Sequence, residues 1–418
     1  MVSFTDPAPG SKRRWAIVVM GSLNFVLSMF FRVSTAVVSP ALVRDLGFTS
    51  SQLSDLSAVF FYAFAVSQIP IGIALDRVGP RLTMGLLAVA AVGGSILFAV
   101  GRTPAELIVA RVLLGIGMSG NLMVVLALLA AWFPVNRFGF LSGLVVSVGV
   151  MGNLLAATPL ALMSLWIGWR ESFLVFAAID AVVVGAFVLV TRDRPSGRKP
   201  SVRRSQPLTG HLWKLLRMYA YWAVSVSNFV RYGYFTALQS LWVAPFLIYG
   251  MGLGEIDASN ALLFLGLGYM VALPLWGSLS DRVFRSRKWV VISSMLAYSV
   301  LTFSLSWWMQ GVAMWFVLLI FFFLGFTAAP GQITYAHIKE LLPQSMIAQA
   351  MTAVNLFTVL GAGFMTHLLG MVVSADPAAL VGPAAFCWIW YVGALGLAVS
   401  CLLYGFVPES QVFRRKDS

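Results

Sequence analysis

The stretch GIALDRVGPR, residues 72–81, sets an aspartate, two arginines and two glycines between two long apolar runs. A related stretch, GSLSDRVF, begins at Gly277. Asp76 and Asp281 are 205 residues apart, as are Arg77 and Arg282, and Pro40 and Pro245 share that offset. Several matched features at one offset mark an internal duplication of about half the chain. In an apolar chain this is the pattern of a transporter built from two related helical halves.

The sequence around these stretches is apolar throughout. Its 418 residues are 60% hydrophobic and 10% charged, with a mean hydropathy of +0.89. Soluble chains average about 45–50% apolar and about 25% charged. The apolar runs are continuous, not the ~10-residue alternating segments of a membrane barrel. A spanning helix needs about 20 apolar residues. Twelve are expected, near 15–39, 56–76, 81–101, 105–132, 138–162, 170–191, 216–247, 259–280, 288–310, 312–335, 345–373 and 381–407. The reading is an all-α integral membrane protein with twelve transmembrane helices in two six-helix halves. The hydrophilic stretch TRDRPSGRKPSVRRSQPLTGH, from Thr191 to His211, reads as a basic linker. The expected domains are 1–191, a linker over 192–215, and 216–418.

The net charge of +13 is mostly a topology signal. Of 28 Lys and Arg, 22 fall at the termini, in the linker and in the loops of one side, against Arg44, Arg102 and Arg170 on the other. Both termini are therefore expected to be cytoplasmic, and no nucleic-acid partner is expected. Lys12, Arg13 and Arg14 before the first run mark a start-transfer helix, since that run is too long for a signal peptide. Cys387 and Cys401 lie 14 residues apart on one helix, too far to bridge, and read as packing residues. No metal, cofactor or nucleophile motif is present. Gly115-x-Gly117 lies inside a helix and follows no strand, so it is not a dinucleotide site.

Three arginines remain, and all lie inside expected helices: Arg32, Arg111 and Arg231. An arginine at membrane depth costs several kcal/mol and is kept only where it faces protein or water. Asn24, Ser28 and Arg32 fall at i, i+4, i+8, and Ser225, Asn228 and Arg231 at i, i+3, i+6, so each set forms one polar stripe. Arg111 lies nearer the outer end of its helix, as an entrance guard or as a structural arginine bonded to carbonyls. Arg32 and Arg231 read as substrate contacts, with structural pairing as the alternative. Of 15 acids only Asp180 is deep in a helix, as a proton carrier or a structural partner. A guanidinium without an acid nearby suits a carboxylate, phosphate or sulfonate. Cavity residues for the rest of the cargo are Tyr62, Asn121, Tyr232, Tyr234, Gln239, Trp242, Tyr335 and Asn355, each with packing as its alternative. His367 is a coupling candidate, or a histidine bonded to a neighbouring helix. His337, with Lys339 and Glu340, reads as a loop cluster.

On the pattern Gly72-x-x-x-Asp76-Arg77-x-Gly79-x-Arg81, its echo at Gly277, Asp281 and Arg282, and Arg111-x-x-x-Gly115-x-Gly117, the chain resembles the major facilitator superfamily over almost its whole length. The resemblance implies two six-helix bundles around a central cavity lined by helices 1, 4, 7 and 10, and alternating access. It also implies a cytoplasmic latch, in which Gly72 lets two helices approach, Asp76 faces a helix N-terminus of the other half and Arg77 and Arg81 hold it; the alternative is that Arg77 and Arg81 are only positive-inside charges. Within the superfamily, Arg32 with Ser34, Ala36 and Pro40, Trp132 to Pro134, and Gly168 to Arg170 resemble the anion:cation symporters and organophosphate-anion carriers. Phe61 to Arg81 resembles bacterial nutrient permeases. Phe31 and Met118 stand where the proton-coupled anion symporters carry acids. The resulting expectation is a monomeric, lipid-embedded carrier of a bacterial cytoplasmic membrane. It moves a small organic anion by ion-coupled symport, with H⁺ as the candidate ion. The alternatives are a permease for amino acids or other zwitterionic or neutral metabolites, and a transporter-like ligand sensor.

Overall fold

The computed structural model describes residues 12–193, 214–307, 311–343, 346–374 and 383–409. Among them every regular element is helical. The helices are α1 (Lys12–Leu46), α2 (Ser50–Arg77), α3 (Pro80–Val100), α4 (Pro104–Met118), α5 (Asn121–Trp132), α6 (Val135–Leu155), α7 (Thr158–Ile167) and α8 (Trp169–Val190). After the linker come α9 (Tyr219–Ala237), α10 (Glu255–Arg282), α11 (Arg287–Ser304), α12 (Met314–Ala328), α13 (Gly331–Leu341), α14 (Ile347–Ser374) and α15 (Pro383–Gly405). α9 runs on through π-helical turns at Leu238–Trp242 and Phe246–Gly250. Among the described residues nine helices are long and apolar enough to cross a membrane, or ten with the bent pair α6–α7. α9 and α11 occupy the other two expected spans.

Three spans expected to be continuous are broken. The fourth breaks between α4 and α5 at Ser119–Gly120, the fifth bends by 42° between α6 and α7, and the tenth breaks at Ala329–Pro330. Pro330 removes the amide that would bond Phe326 O one turn back. The indole of Trp276 supplies that donor, at 2.9 Å. A lost intrahelical bond is thus replaced from a neighbouring helix, which a membrane interior demands.

Local signals start and stop the helices. Gly79 turns the chain between α2 and α3 at φ 91°, and Pro80 opens α3. Thr103 and Glu106 form a reciprocal capping box at the start of α4. Ser286 caps α11 through the amide of Trp289, at 3.0 Å.

The contacts divide the chain into two compact units. The first holds Met1–Ser34 and Tyr62–Arg203, the second Thr35–Phe61 and Arg204–Ser418. In the first unit α3 packs on α4 and α8. Gly117 allows the approach, since a Cβ there would meet Ala91 N at 2.5 Å; this is the packing role of the glycine motif in the fourth span. α8 buries Phe173, Ala177, Asp180, Val184 and Phe187 on one stripe and exposes Val182 and Leu189 on another. A helix apolar on both faces lies between protein and lipid. In the second unit α9 packs along α14 and α15, and α10 along α12, around a core that includes Tyr221, Val224, Met295, Val354 and Tyr404.

Candidate functional site

In the first unit the predicted stripe on α1 faces the break between α4 and α5. Ser28 Oγ donates to Met118 O at 3.0 Å, and Asn121 Nδ2 donates to Asn24 O at 2.8 Å. Asn24 Nδ2 itself donates to Met20 O at 2.7 Å, and Gln68 Nε2 reaches Ser119 O at 3.1 Å. Carbonyls released by the break are thus bonded by side chains of α1 and α2. Asn24 and Ser28 both bond main-chain or side-chain groups here, Ser28 to α4 and the Asn24 carbonyl to Asn121 of α5. Arg111 is fully buried, and its Nη1 donates to Phe31 O at 2.8 Å. This bond ties α4 to α1 at the residue before Arg32. Arg32 is 8% exposed, with its guanidinium carbon 4.8 Å from the centre of the Phe64 ring.

The second unit repeats the theme with a charge. Arg231 on α9 is 3% exposed and reaches the break between α12 and α13. Its Nη1 donates to Ala328 O, and its Nη2 donates to Asn228 Oδ1 at 2.9 Å. Asn228 Oδ1 also accepts from Thr334 Oγ1 at 2.9 Å. The cation sits at the C-terminal end of α12, where the helix dipole favours it. Gly331 makes the seat, since a Cβ there would fall 1.4 Å from Nη2. Two donors in this cluster, Arg231 Nε and Asn228 Nδ2, have no hydrogen-bond partner among the described residues, and no carboxylate among them pairs with Arg231. Nearby, Tyr335 Oη lies 3.4 Å from Asn355 Oδ1 and 3.1 Å from Thr358 Oγ1. Gln239 is buried in the π-helical continuation of α9, and Tyr232 is half-buried next to Arg231. Gly331 and Thr334 were not singled out in the sequence; Pro330, a helix breaker five residues before the end of the span expected at 312–335, was the available signal.

Gly72 is half-buried with open space around its Cα, and Arg77 is exposed. Arg81 turns to the end of α8: its amide donates to Asp193 Oδ1 at 2.6 Å and its Nε to Val188 O at 2.6 Å. A Cβ on Gly79 would lie 2.6 Å from Asp193 Oδ2, so the turn also leaves room for that carboxylate. The side chains of Asp76, Asp281 and Arg282 lie outside the described residues. Asp180 is 1% exposed, and its Oδ2 has no hydrogen-bond partner among the described residues. His367 Nδ1 is 3.0 Å from Asp55 Oδ1. His337 sits on α13 and is not in a loop: it is fully buried, bonded to Tyr404 Oη at 2.7 Å and Pro408 O at 3.0 Å.

Residues 21–265, more than half the chain, match the family model described as Major Facilitator Superfamily. A protein of Cupriavidus necator described as a probable sulfoacetate transporter is 25% identical over 292 residues, 66% of each chain. The match therefore spans about two thirds of that relative's length. A hexuronate transporter of Bacillus subtilis is 22% identical over 395 residues, 90% of this chain and 87% of its own. Among solved structures, a bacterial homolog of the human lysosomal transporter Spinster superposes with a TM-score of 0.75 at 15% identity. That superposition covers 97% of this chain and 99% of the other.

Proposed function

The chain belongs to the Major Facilitator Superfamily, and from that premise we propose that Arg32 and Arg231 hold the anionic group of its cargo. The protein is a membrane transporter and not an enzyme. In our reading it carries a small organic anion, a carboxylate or sulfonate, across a bacterial cytoplasmic membrane by alternating access. It does so as a monomer coupled to an ion, with H⁺ the first candidate and both termini cytoplasmic.

One observation carries the reading. A buried guanidinium keeps an unpartnered Nε, beside an unpartnered amide N–H₂ of Asn228, with no carboxylate paired to it among the described residues. Removing a buried donor or cation from water without compensation is costly. An oxyanion supplies both the missing acceptor and the missing charge. The relatives carry the same chemistry in their names, a sulfonate with a carboxylate in one and a sugar acid in the other.

The test is a thermal-shift screen of the purified protein against monocarboxylates, dicarboxylates, sugar acids, sulfonates, phosphate esters and amino acids. A ligand at 100 times its Kd stabilises by about 2.7 kcal/mol. A shift from one anion class that disappears in Arg32→Ala and in Arg231→Lys is expected. The lysine keeps the charge and loses the planar fork. Shifts from zwitterionic or neutral compounds only, unchanged in both variants, would refute the reading.

A further inference from the structure

The start of α1, the turn between α5 and α6 and the end of α8 come together at one end of the first unit. Ile17, Trp132, Phe133, Leu141 and Phe187 share one buried cluster there. The Trp15 ring meets the Phe133 ring edge-on, with centroids 5.8 Å apart, and the guanidinium carbon of Arg14 lies 5.8 Å from the centre of the same ring. The indole of Trp132 donates to Arg192 O at 2.9 Å, just past α8. Arg137 stands in the first turn of α6, its amide bonded to Pro134 O at 3.0 Å. Arginines from three elements thus gather around one aromatic turn. Arg137 and Arg192 are exposed and Arg14 is half-buried, with no hydrogen-bond partner for its Nε among the described residues.

Their charge is not compensated. α1 holds no acid before Asp45, and the chain has none between Glu106 and Glu171. None of the three arginines forms an ion pair among the described residues. Asp193, next to Arg192, is taken by the Arg81 amide at 2.6 Å. The first turns of α1 and α6 carry no acid and hold arginines instead, although a helix N-terminus favours negative charge. At the corresponding end of the second unit the acids are present: Arg287 pairs with Glu340, and Glu409 accepts from Ser286 and from the Arg287 amide. Apolar surface begins where these arginines end. Trp15, Val19 and Leu23 are exposed at i, i+4, i+8 along α1, as are Phe140 and Leu144 along α6.

We propose that this rim binds the headgroup of an anionic phospholipid through Arg14, Arg137 and Arg192, with the acyl chains along the exposed stripes of α1 and α6. Guanidinium groups suit a phosphate, and the stripes suit the chains that a free anion lacks. Trp15 stands between the two, the position tryptophan takes at a membrane interface. A zwitterionic lipid offers the same phosphate and chains, but its ammonium cancels the negative charge that the rim is missing. By the loop charge asymmetry the rim is cytoplasmic, the side whose leaflet carries a negative surface potential. The inference does not depend on which cargo is carried, and its test reads no transport.

The test titrates the full-length protein, delipidated in mild detergent, with dioctanoyl phosphatidylglycerol, dioctanoyl phosphatidylcholine or inorganic phosphate. Native mass spectrometry counts the molecules bound. Phosphatidylglycerol should bind about tenfold more tightly than phosphatidylcholine, or better still. Arg137→Gln and Arg192→Gln each remove an exposed cation whose side chain makes no bond among the described residues. Each should weaken phosphatidylglycerol about fivefold, and both together about twenty-five-fold, with phosphatidylcholine unchanged. Arg14→Gln should act in the same direction, and the two exposed positions decide the matter should its loss from Phe133 disturb folding. Arg44→Gln, which removes an exposed cation that already has acid partners, should leave both lipids unchanged. Equal affinity for the two lipids, or a phosphatidylglycerol preference that survives the double variant, overturns the proposal. So does displacement of phosphatidylglycerol by an equal concentration of inorganic phosphate, which would make the rim a site for a free anion.

Discussion

Gly331 has no room for a side chain, because the guanidinium of Arg231 occupies the space a Cβ would take. The smallest substitution there, Gly331→Ala, pushes Arg231 off Ala328 O and off Asn228. Hydrogen bonds to a charged group are worth about 1.5–3 kcal/mol each. We expect Gly331→Ala to weaken anion binding at least tenfold in the thermal-shift titration while the protein still elutes as a single folded species. Asp180 poses the opposite question. It is buried on the inward stripe of α8, and one carboxylate oxygen has no partner among the described residues. A buried charge without compensation costs several kcal/mol, and an amide of the same shape carries no such cost. Asp180→Asn is therefore expected to melt at or above the temperature of the unsubstituted protein. A fall of several degrees would mean that the carboxylate is bonded in a way the amide cannot reproduce.

At the scale of elements, helix breaks and polar stripes occur in pairs. The α4–α5 break receives Ser28 and Gln68, and the α12–α13 break receives Arg231 and Trp276. The stripes on α1 and α9 were visible as 3.6-residue spacings in the sequence. Their targets were not, because Ser119–Gly120 and Ala329–Pro330 sit inside runs apolar enough to read as unbroken helices. The breaks explain why polar residues persist there: a carbonyl released within the membrane must find a donor. Trp276→Phe removes the donor to Phe326 O and should cost about 1–2 kcal/mol. In a Pro330→Ala background an intrahelical amide can return to that carbonyl, and the cost of Trp276→Phe should shrink toward zero. Equal costs in both backgrounds, from detergent melting curves, would show that Pro330 is not the reason Trp276 is needed.

At the scale of the whole molecule, the second compact unit does not coincide with the C-terminal half of the sequence. It includes residues 35–61, the corner between α1 and α2, where Ser54, Asp55 and Ser57 bond to α14 and to the π-helical part of α9. Residues 204–418 expressed alone would leave Ser240, Thr366 and His367 without those partners. That fragment is expected to aggregate on size exclusion in mild detergent, and co-expression with residues 1–203 should recover a monodisperse complex. A monodisperse C-terminal fragment by itself would show that the corner adds little to its stability. The exposed Arg44–Glu255 pair at the same corner should matter little. Its partners are 63% and 36% exposed, and such pairs are worth about 0–1 kcal/mol.

Composition, the repeat at an offset of 205 and the motif from Gly72 to Arg81 determined the helical membrane fold and the family, because span length and backbone satisfaction leave a lipid-embedded chain few choices. The three intramembrane arginines were equally legible, since a permanent charge in an apolar run is conspicuous. The partner of each arginine was decided only by tertiary structure. Arg111 went to a carbonyl of α1 and Arg231 to a helix break, and nothing in either local sequence indicates which carbonyl lies opposite. Arg81 turned to Asp193, 112 residues away, for the same reason. The pairing of His367 with Asp55 joins residues 312 apart, through a corner that packs with the other half of the sequence. Periodicity reports which face of a helix is polar; it carries no information about which other helix that face will meet.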